Sequence, residues 1–557
     1  MKLCHKANIF VLSFVFFLGL ILQSQNKPVR YWIMLSDKNN SAYNLNNSSA
    51  FLTQAAIERR ARQSIPVDSS DLPVNNSYIN QIIALNVKVL FVSRWFNAAV
   101  IETDSASTQL LSVTSLPFVK NYSRVLGMKR NPDFEKIDYT EDWQSQRVIQ
   151  NSTYDYGQAT AQIEQLNGIC LHEKGFDGNN IHIAVLDAGF RKANQLAYFS
   201  ETFNEGRIKY IKDFSFRNPI HVFSDSTNSH GTAVLSCMAA NSQGQMIGTA
   251  PKASYSLLRT EYAPDEYIME EYSWVAGAEF ADSVGCHIIN SSLGYTQFDE
   301  PSQNHSFASL DGKTSFASRA ATVAARKGLL VCNSAGNGGG GSWYKIGIPA
   351  DADSIVTVGA IDSDGVLASF SSIGPTADGR IKPDLVALGS SATIVNSYSG
   401  NIAQSSGTSF SSPILAGMFA SLWSAFPEKS NWQIIDAVKK SADNYLNPNN
   451  QYGYGIPDFC SAFAILKGYD FSADQFYLTS ANPATSELKA EFIAKNQQQI
   501  TISLYTTQGK LLYQNSKALK ENNTLAIQIP IEVLANGIYF LNAQSETFSK
   551  TIKIVKQ

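Results

Sequence analysis

Five apolar runs recur through the middle of the chain: Ile181–Leu186, Ser254–Leu258, His287–Asn290, Leu329–Asn333 and Ile355–Val358. Each is nearly continuous in apolar character, and helix-like patterns separate them. A strand covered on both faces has no polar side to alternate with, so the pattern predicts an α/β domain: a parallel sheet between two helix layers. The flanks read differently. Ahead of it, Tyr31–Leu35, Val87–Val92 and Asn97–Glu102 read as strands, with helix patterns at Phe51–Gln63 and Tyr78–Leu85. Glu58, Arg59, Arg60 and Arg62 make a charged face on the first helix. This is a βαβ-type α+β module. Behind it, Thr501–Tyr505 alternates strictly, Gln508-Gly509 marks a turn and Leu511–Tyr513 pairs back. Asn536-Gly537 turns into Ile538–Leu541, and Thr551–Lys556 alternates again, which predicts a small all-β sandwich.

These textures divide the chain into 1–24, 26–125, 126–155, 156–468 and 469–557. The first stretch has a basic start at Lys2, His5 and Lys6, then an uncharged run from Ile9 to Leu22. That run is short for a membrane span and fits a secretory signal peptide cleaved near Ser24; a membrane anchor is the other reading. Residues 126–155 are polar, with Lys129, Arg130 and Pro132, and form a linker.

Composition narrows the function. Of 557 residues, 44% are hydrophobic and only 16% charged, with a net charge of -3. A packed core follows, and a nucleic-acid partner is not expected, for want of a basic footprint. Removal of Cys4 with the signal leaves Cys170, Cys237, Cys286, Cys332 and Cys460. An odd number cannot all pair, and their apolar surroundings suggest small buried hydrophobes.

Several hydrolase and nucleotide signatures are missing. There is no G-x-S-x-G and no C-x-x-C. His172-Glu173 starts like a zinc helix, but Phe176 stands where the second His belongs. Gly312-Lys313-Thr314 ends like a phosphate loop, but Phe307 replaces its first Gly. Three segments remain. In Ile181–Gly189 an apolar strand ends on Asp187, where open α/β sheets gather functional groups, or where a turn holds a structural Asp. In His230–Ala240 a histidine opens an apolar helix, as a general base held neutral or as a capping residue. In Ser406–Phe419 small residues lead to Ser409 at the start of a very apolar helix, as a nucleophile or as an N-cap. Thr408 or Ser411 could fill the capping role instead. Pro413 is tolerated in a first turn.

Asp, His and Ser in this chain order are one of the known arrangements of a serine-protease triad. The D-A-G, H-G-T and G-T-S-x-S-S-P blocks at Asp187, His230 and Ser409 resemble the subtilisin-like serine peptidases, the subtilases, over roughly Tyr156–Gly468. The resemblance implies Ser409 as nucleophile, His230 as its base and Asp187 as the group orienting the imidazole. It implies that Asn337, in Ser334-Ala335-Gly336-Asn337, donates to the oxyanion. Ser292-Leu293-Gly294 resembles the edge that pairs with substrate backbone, and Gly347-Ile348-Pro349-Ala350 the primary pocket, with no charge evident. Ala233 departs from the second His of many members, outside the triad. The rival function is a catalytically dead subtilase fold serving as a surface binding protein.

The resemblance extends to the flanks. The α+β module resembles a subtilase propeptide, an inhibitor and folding assistant. The C-terminal domain, through Asn482-Pro483, Leu504–Lys510 and Asn536-Gly537-Ile538-Tyr539, resembles the type IX secretion sorting domain of Bacteroidetes. The expected partners are polypeptide substrates, the protein's own propeptide and an outer-membrane secretion machinery. No catalytic cofactor is expected. Calcium is common in the family, but Asn241–Gly248, where some members hold it, lacks carboxylates, so no metal ligands are assigned. Glu266, Glu270 and Glu271 favour basic residues along the substrate or form a solvated face.

Overall fold

A computed structural model describes residues 28–104, 108–126, 154–216, 221–224, 226–264, 266–468, 475–478, 482–520 and 523–557. The expected signal peptide and nearly all of the expected linker lie outside the described residues.

The N-terminal module runs β1 (Pro28–Leu35), α1 (Gln54–Arg62), α2 (Asn76–Ala84), β2 (Lys88–Ser93), β3 (Ala98–Asp104), α3 (Gln109–Thr114) and β4 (Val119–Leu126). Thr53 and Asn75 cap α1 and α2, accepting from Ala56 N and Ser77 N. The sheet order is β2-β3-β1-β4 with antiparallel neighbours, so β1 and β2 are parallel with β3 between them. That is a split βαβ unit. Strand alternation gives each face its own partner. Ile33 and Ile101 face the module's core with Ile82 and Phe118. Trp32, Val100 and Val125 instead pack on Tyr267, Met269 and Tyr272 of the catalytic domain.

Half of the charged face expected on α1 is buried, while Glu58 and Arg62 stay exposed. Arg59 and Arg60 are each 1% exposed. Both bind Asp282 of the catalytic domain, at 2.5 and 2.6 Å. Arg94, at the end of β2, reaches the same carboxylate at 2.8 Å. Arg60 also pairs with Asp71, which accepts from Lys327 of the catalytic domain at 2.7 Å.

The catalytic domain is built on β5 (His182–Asp187), β6 (Ile208–Asp213), the β7–β8 hairpin (Asn241–Ser242, Met246–Ile247), β9 (Ser254–Arg259), β10 (Ile288–Ser291), β11 (Leu330–Ser334), β12 (Val356–Ile361) and β13 (Leu385–Leu388). A second hairpin follows, β14 (Ala392–Val395) and β15 (Ile402–Ser405). Seven strands form one parallel sheet in the order β13-β12-β11-β10-β5-β9-β6. All five apolar runs are in it. The main helices are α4 (Ile169–Glu173), α5 (His230–Ala239), α6 (Met269–Ser283), α7 (Phe316–Arg326), α8 (Thr408–Ala425), α9 (Asn431–Lys440) and α10 (Phe459–Leu466). Ile183 and Val185 point to a core shared with α5 and α8. Ala184 and Leu186 point to the other core, with α6 and α7. The cysteine expectation is corrected for one pair. Cys170 in α4 and Cys460 in α10 form a disulfide, Cα–Cα 6.1 Å, while Cys237, Cys286 and Cys332 are free and buried.

The C-terminal domain has strands β16 (Gln475–Leu478), β17 (Glu487–Ala494), β18 (Gln498–Thr506), β19 (Leu511–Leu519), β20 (Asn523–Pro530), β21 (Gly537–Gln544) and β22 (Ser549–Lys556). Two antiparallel sheets, β16-β17-β20 and β19-β18-β21-β22, close on a core that includes Phe492, Ile502, Ile527 and Leu541. This is the sandwich read from the alternation. No helix among the described residues is long and apolar enough to cross a membrane.

Candidate active site

Strands β5, β10 and β11 lie side by side, and their carboxyl ends carry the candidate residues. Asp187 ends β5 and is fully buried. One oxygen accepts from Ala188 N at 2.8 Å. Both oxygens face His230 Nδ1, at 2.9 and 3.0 Å. A carboxylate aimed at Nδ1 fixes the ring's orientation and leaves Nε2 as the working nitrogen.

His230 is the first residue of α5, and its backbone N donates to Asn228 Oδ1 at 2.7 Å. The neighbouring Gly231 lets the helix close on the strand. A Cβ there would stand 2.4 Å from Gly189 O and 3.0 Å from Asp187 Cβ. His230 and Phe410, the residue after Ser409, have ring centroids 6.3 Å apart.

Ser409 is the second residue of α8, and Gly407 at the N-cap makes no side-chain cap. The capping alternatives are thereby settled. Thr408 is engaged elsewhere, and Ser411 Oγ turns back to Thr408 O at 3.0 Å. Pro413 falls in the second turn of α8, not the first, because the helix starts at Thr408.

Asn337 follows β11 beyond Gly336, whose φ of 110° suits glycine. A Cβ on Gly336 would also meet Ser372 Oγ at 3.0 Å. Asn337 Oδ1 accepts from Thr408 N at 2.9 Å and Thr408 Oγ1 at 2.8 Å. With the oxygen held there, the amide's Nδ2 is its remaining, donating end. That nitrogen would lie 3.5 Å from a Cβ placed on Gly407, beside Ser409 N. Thr408 is thus an orienting residue that the sequence offered only as a rival cap.

Ser292-Leu293-Gly294 continues β10 past its last ladder pairs, Ser291 with Leu186 and with Asn333. Ser292 Oγ donates to Ser409 O at 2.9 Å, and Asn333 Nδ2 donates to Leu293 O at 3.1 Å. Gly294 lies opposite Gly347: a Cβ on Gly347 would be 3.5 Å from Gly294 Cα. Tyr295 and Ile348 exchange backbone bonds of 2.8 and 3.2 Å just beyond. All eight candidate residues therefore meet in two sets, Asp187 with His230, and Ser409 with Asn337, Ser292, Leu293, Gly294 and Gly347.

The glutamates are not a solvated face. Glu270 and Glu271 are 6% and 1% exposed, in the first turn of α6 rather than ahead of it. Glu271 is bound by His305 and Ser315. Glu261, Glu266 and Glu270 come within 4.8 Å of one another. Burial pushes Glu261, which also accepts from the Tyr295 hydroxyl, up to about 7. The loop Asn241–Gly248 forms the β7–β8 hairpin, and its side chains bring no carboxylate. Asn241 turns its amide nitrogen to Glu201, 2.8 Å away, and Lys252 and Arg207 already hold that carboxylate.

Comparison with known proteins bears on each of the three domains. The Peptidase S8 propeptide domain of Bacteroidota matches residues 30–139, and a secretion system C-terminal sorting domain matches 481–557. Subtilisin NAT of Bacillus subtilis subsp. natto is 30% identical over 334 residues, 59% of this chain and 75% of its own length. The subtilisin of Bacillus pumilus is 30% identical over 299 residues, 53% of this chain and 94% of its own. Subtilisin Savinase of Lederbergia lenta is 29% identical over 296 residues, 53% and 94% of the two chains. The sorting domain marks the protein for export by type IX secretion to the cell surface or beyond. With the Subtilase family itself matching residues 178–455, across the strands and helices that assemble the site, the chain belongs to that family and is a subtilisin-like serine endopeptidase.

Proposed function

We propose that Ser409 Oγ attacks the scissile carbonyl, with His230 Nε2 taking its proton and later giving it to the leaving amine. Asp187 holds the imidazole and stabilises the imidazolium that forms. The oxyanion is met by Asn337 Nδ2 and by the Ser409 N–H in the first turn of α8. Substrate backbone adds as a strand along Ser292-Leu293-Gly294, with Gly347 opposite Gly294 at the wall of the primary pocket. The observation that carries this reading is the two-oxygen contact of Asp187 with His230 Nδ1.

In the same reading the N-terminal module inhibits the enzyme until it is cut away, and the C-terminal sandwich is handed to the outer-membrane secretion machinery. A fluorophosphonate probe tests the core of it. The processed protein is expected to label at Ser409, and Ser409→Ala to lose both labelling and peptidase activity. Turnover by that variant at the parent's rate would overturn the triad.

A further inference from the structure

Helix α1 of the propeptide covers a second feature besides Asp282. A cavity of about 80 Å³ lies between it and the catalytic domain. Its lining includes Arg59, Arg62 and Gln63 from the propeptide side, and His287, Trp423 and Lys429 from the other. Among the described residues that line it there is no carboxylate.

Most donors around the cavity already have acceptors, since Asp71 also takes Arg60 and the carbonyls of Cys286 and Lys327 take Arg59, but one buried donor is left over. One carboxylate, Asp282, serves three guanidiniums, those of Arg59, Arg60 and Arg94. Arg59 Nε is buried and meets no acceptor among the described residues. Arg62 contacts only a carbonyl weakly, Glu58 O at 3.4 Å. Lys429 lies 3.9 Å from the exposed Glu428 carboxylate.

His287 is arranged as a further donor. The backbone N of His182 donates to its Nδ1 at 3.2 Å, so the proton of the neutral ring sits on Nε2. Trp423 meets the ring edge-on at 5.7 Å, and its own Nε1 donates to Lys429 O at 3.0 Å. Burial first, and then the charges of Arg59 and Arg62, push His287 down to about 3, so its ring stays neutral here.

We propose that this cavity takes a small oxyanion, phosphate or sulfate in size, held between the propeptide and the catalytic domain. The Arg62 guanidinium, the Arg59 Nε–H, the Lys429 ammonium and a neutral imidazole N–H are the donors such an ion needs. Residues of both partners line the cavity, so the site is whole only while the propeptide is docked. By linkage the anion then tightens the propeptide's hold and delays its release.

The full-length chain carrying Ser409→Ala, confirmed intact by mass, is titrated calorimetrically with inorganic phosphate at constant ionic strength. One saturable site per chain is expected. Arg62→Ala and Lys429→Ala should each weaken it roughly tenfold or more, the loss of one charge-assisted hydrogen bond. Lys510→Ala, in the C-terminal domain, should leave it unchanged. Phosphate should raise the melting midpoint of the parent and not that of Arg62→Ala, whose exposed side chain the fold does not need. Absence of saturable binding, equal binding by Arg62→Ala and the parent, or equal weakening by Lys510→Ala would overturn the proposal.

Discussion

Ser292 Oγ donates to the carbonyl oxygen of Ser409 at 2.9 Å, and Pro413 is the reason that oxygen is available. In a regular helix Ser409 O would accept from the N–H four residues on, and proline has none. The break in α8 therefore joins the helix bearing the candidate nucleophile to the edge that takes substrate.

Ser292→Ala should leave Ser409 O without its donor and cost about 1–3 kcal/mol of stability, with a several-fold drop in kcat/KM. Adding Pro413→Ala should recover part of both, because residue 413 then supplies an N–H to the same oxygen. Thermal melts and kinetics of the four-member cycle decide. Strictly additive effects would mean that the two residues do not serve one carbonyl.

Asn337→Ala should lower kcat far more than it raises KM, since the oxyanion exists only in the transition state. The loss should be on the order of 10²–10³ in kcat, a magnitude carried over from the same donor in a subtilisin, a relative of this chain. Thr408→Val removes the hydroxyl that fixes Asn337 Oδ1 and keeps the backbone contact. It should give a smaller drop, again in kcat. A rise in KM alone for either variant would recast Asn337 as a loop-shaping residue.

Asp282→Asn should undo propeptide docking more than catalysis. Its carboxylate is fully buried and binds Arg59, Arg60 and Arg94 together. Removing one partner of such a buried set costs roughly 3–5 kcal/mol, because the remaining charges stay desolvated. The yield of processed enzyme from refolded full-length chain should fall steeply, and separately added propeptide should inhibit the mature variant far less. Undiminished inhibition would show that the other contacts, Asp71 with Lys327 and Trp32 with Tyr272 among them, hold the module without it.

What was legible in the sequence follows burial. The five central strands are covered on both faces, so composition alone exposed them. β6 was missed because it is an edge strand with Lys209, Tyr210, Ile211 and Lys212 all exposed. β13 is a run of only four residues, Leu385–Leu388, at the opposite edge of the sheet. Asp187, His230 and Ser409 sit in short blocks whose chemistry demands those residue types. Thr408, Asn228 and the Ser292–Ser409 bond act through orientation, which spacing does not encode. The disulfide joins cysteines 290 positions apart, and an odd total gave no pairing. Arg59 and Arg60 looked like any exposed helix face, because their partner Asp282 lies in another domain.

Acid should destabilise the catalytic domain through its buried histidines. His172 is 2% exposed, bonded to Tyr156 Oη at 2.9 Å and Thr249 O at 3.2 Å. Burial pushes it down to about 4 from the usual 6.5. His182, the first residue of β5 and bonded to Ser256 Oγ at 2.7 Å, is likewise pushed to about 4 by burial. Below pH 6.5 the unfolded chain gains these protons and the folded domain does not, so the unfolded state binds more and stability falls with pH. For these two the loss runs from about 6.5 down to about 4. A shift of this size is worth about 3 kcal/mol for His172 alone. Urea melts at stepped pH should show that slope, and His172→Gln, which keeps a hydrogen-bonding side chain without the titration, should flatten part of it while lowering stability at neutral pH. A slope unchanged by His172→Gln would place the acid sensitivity in other groups.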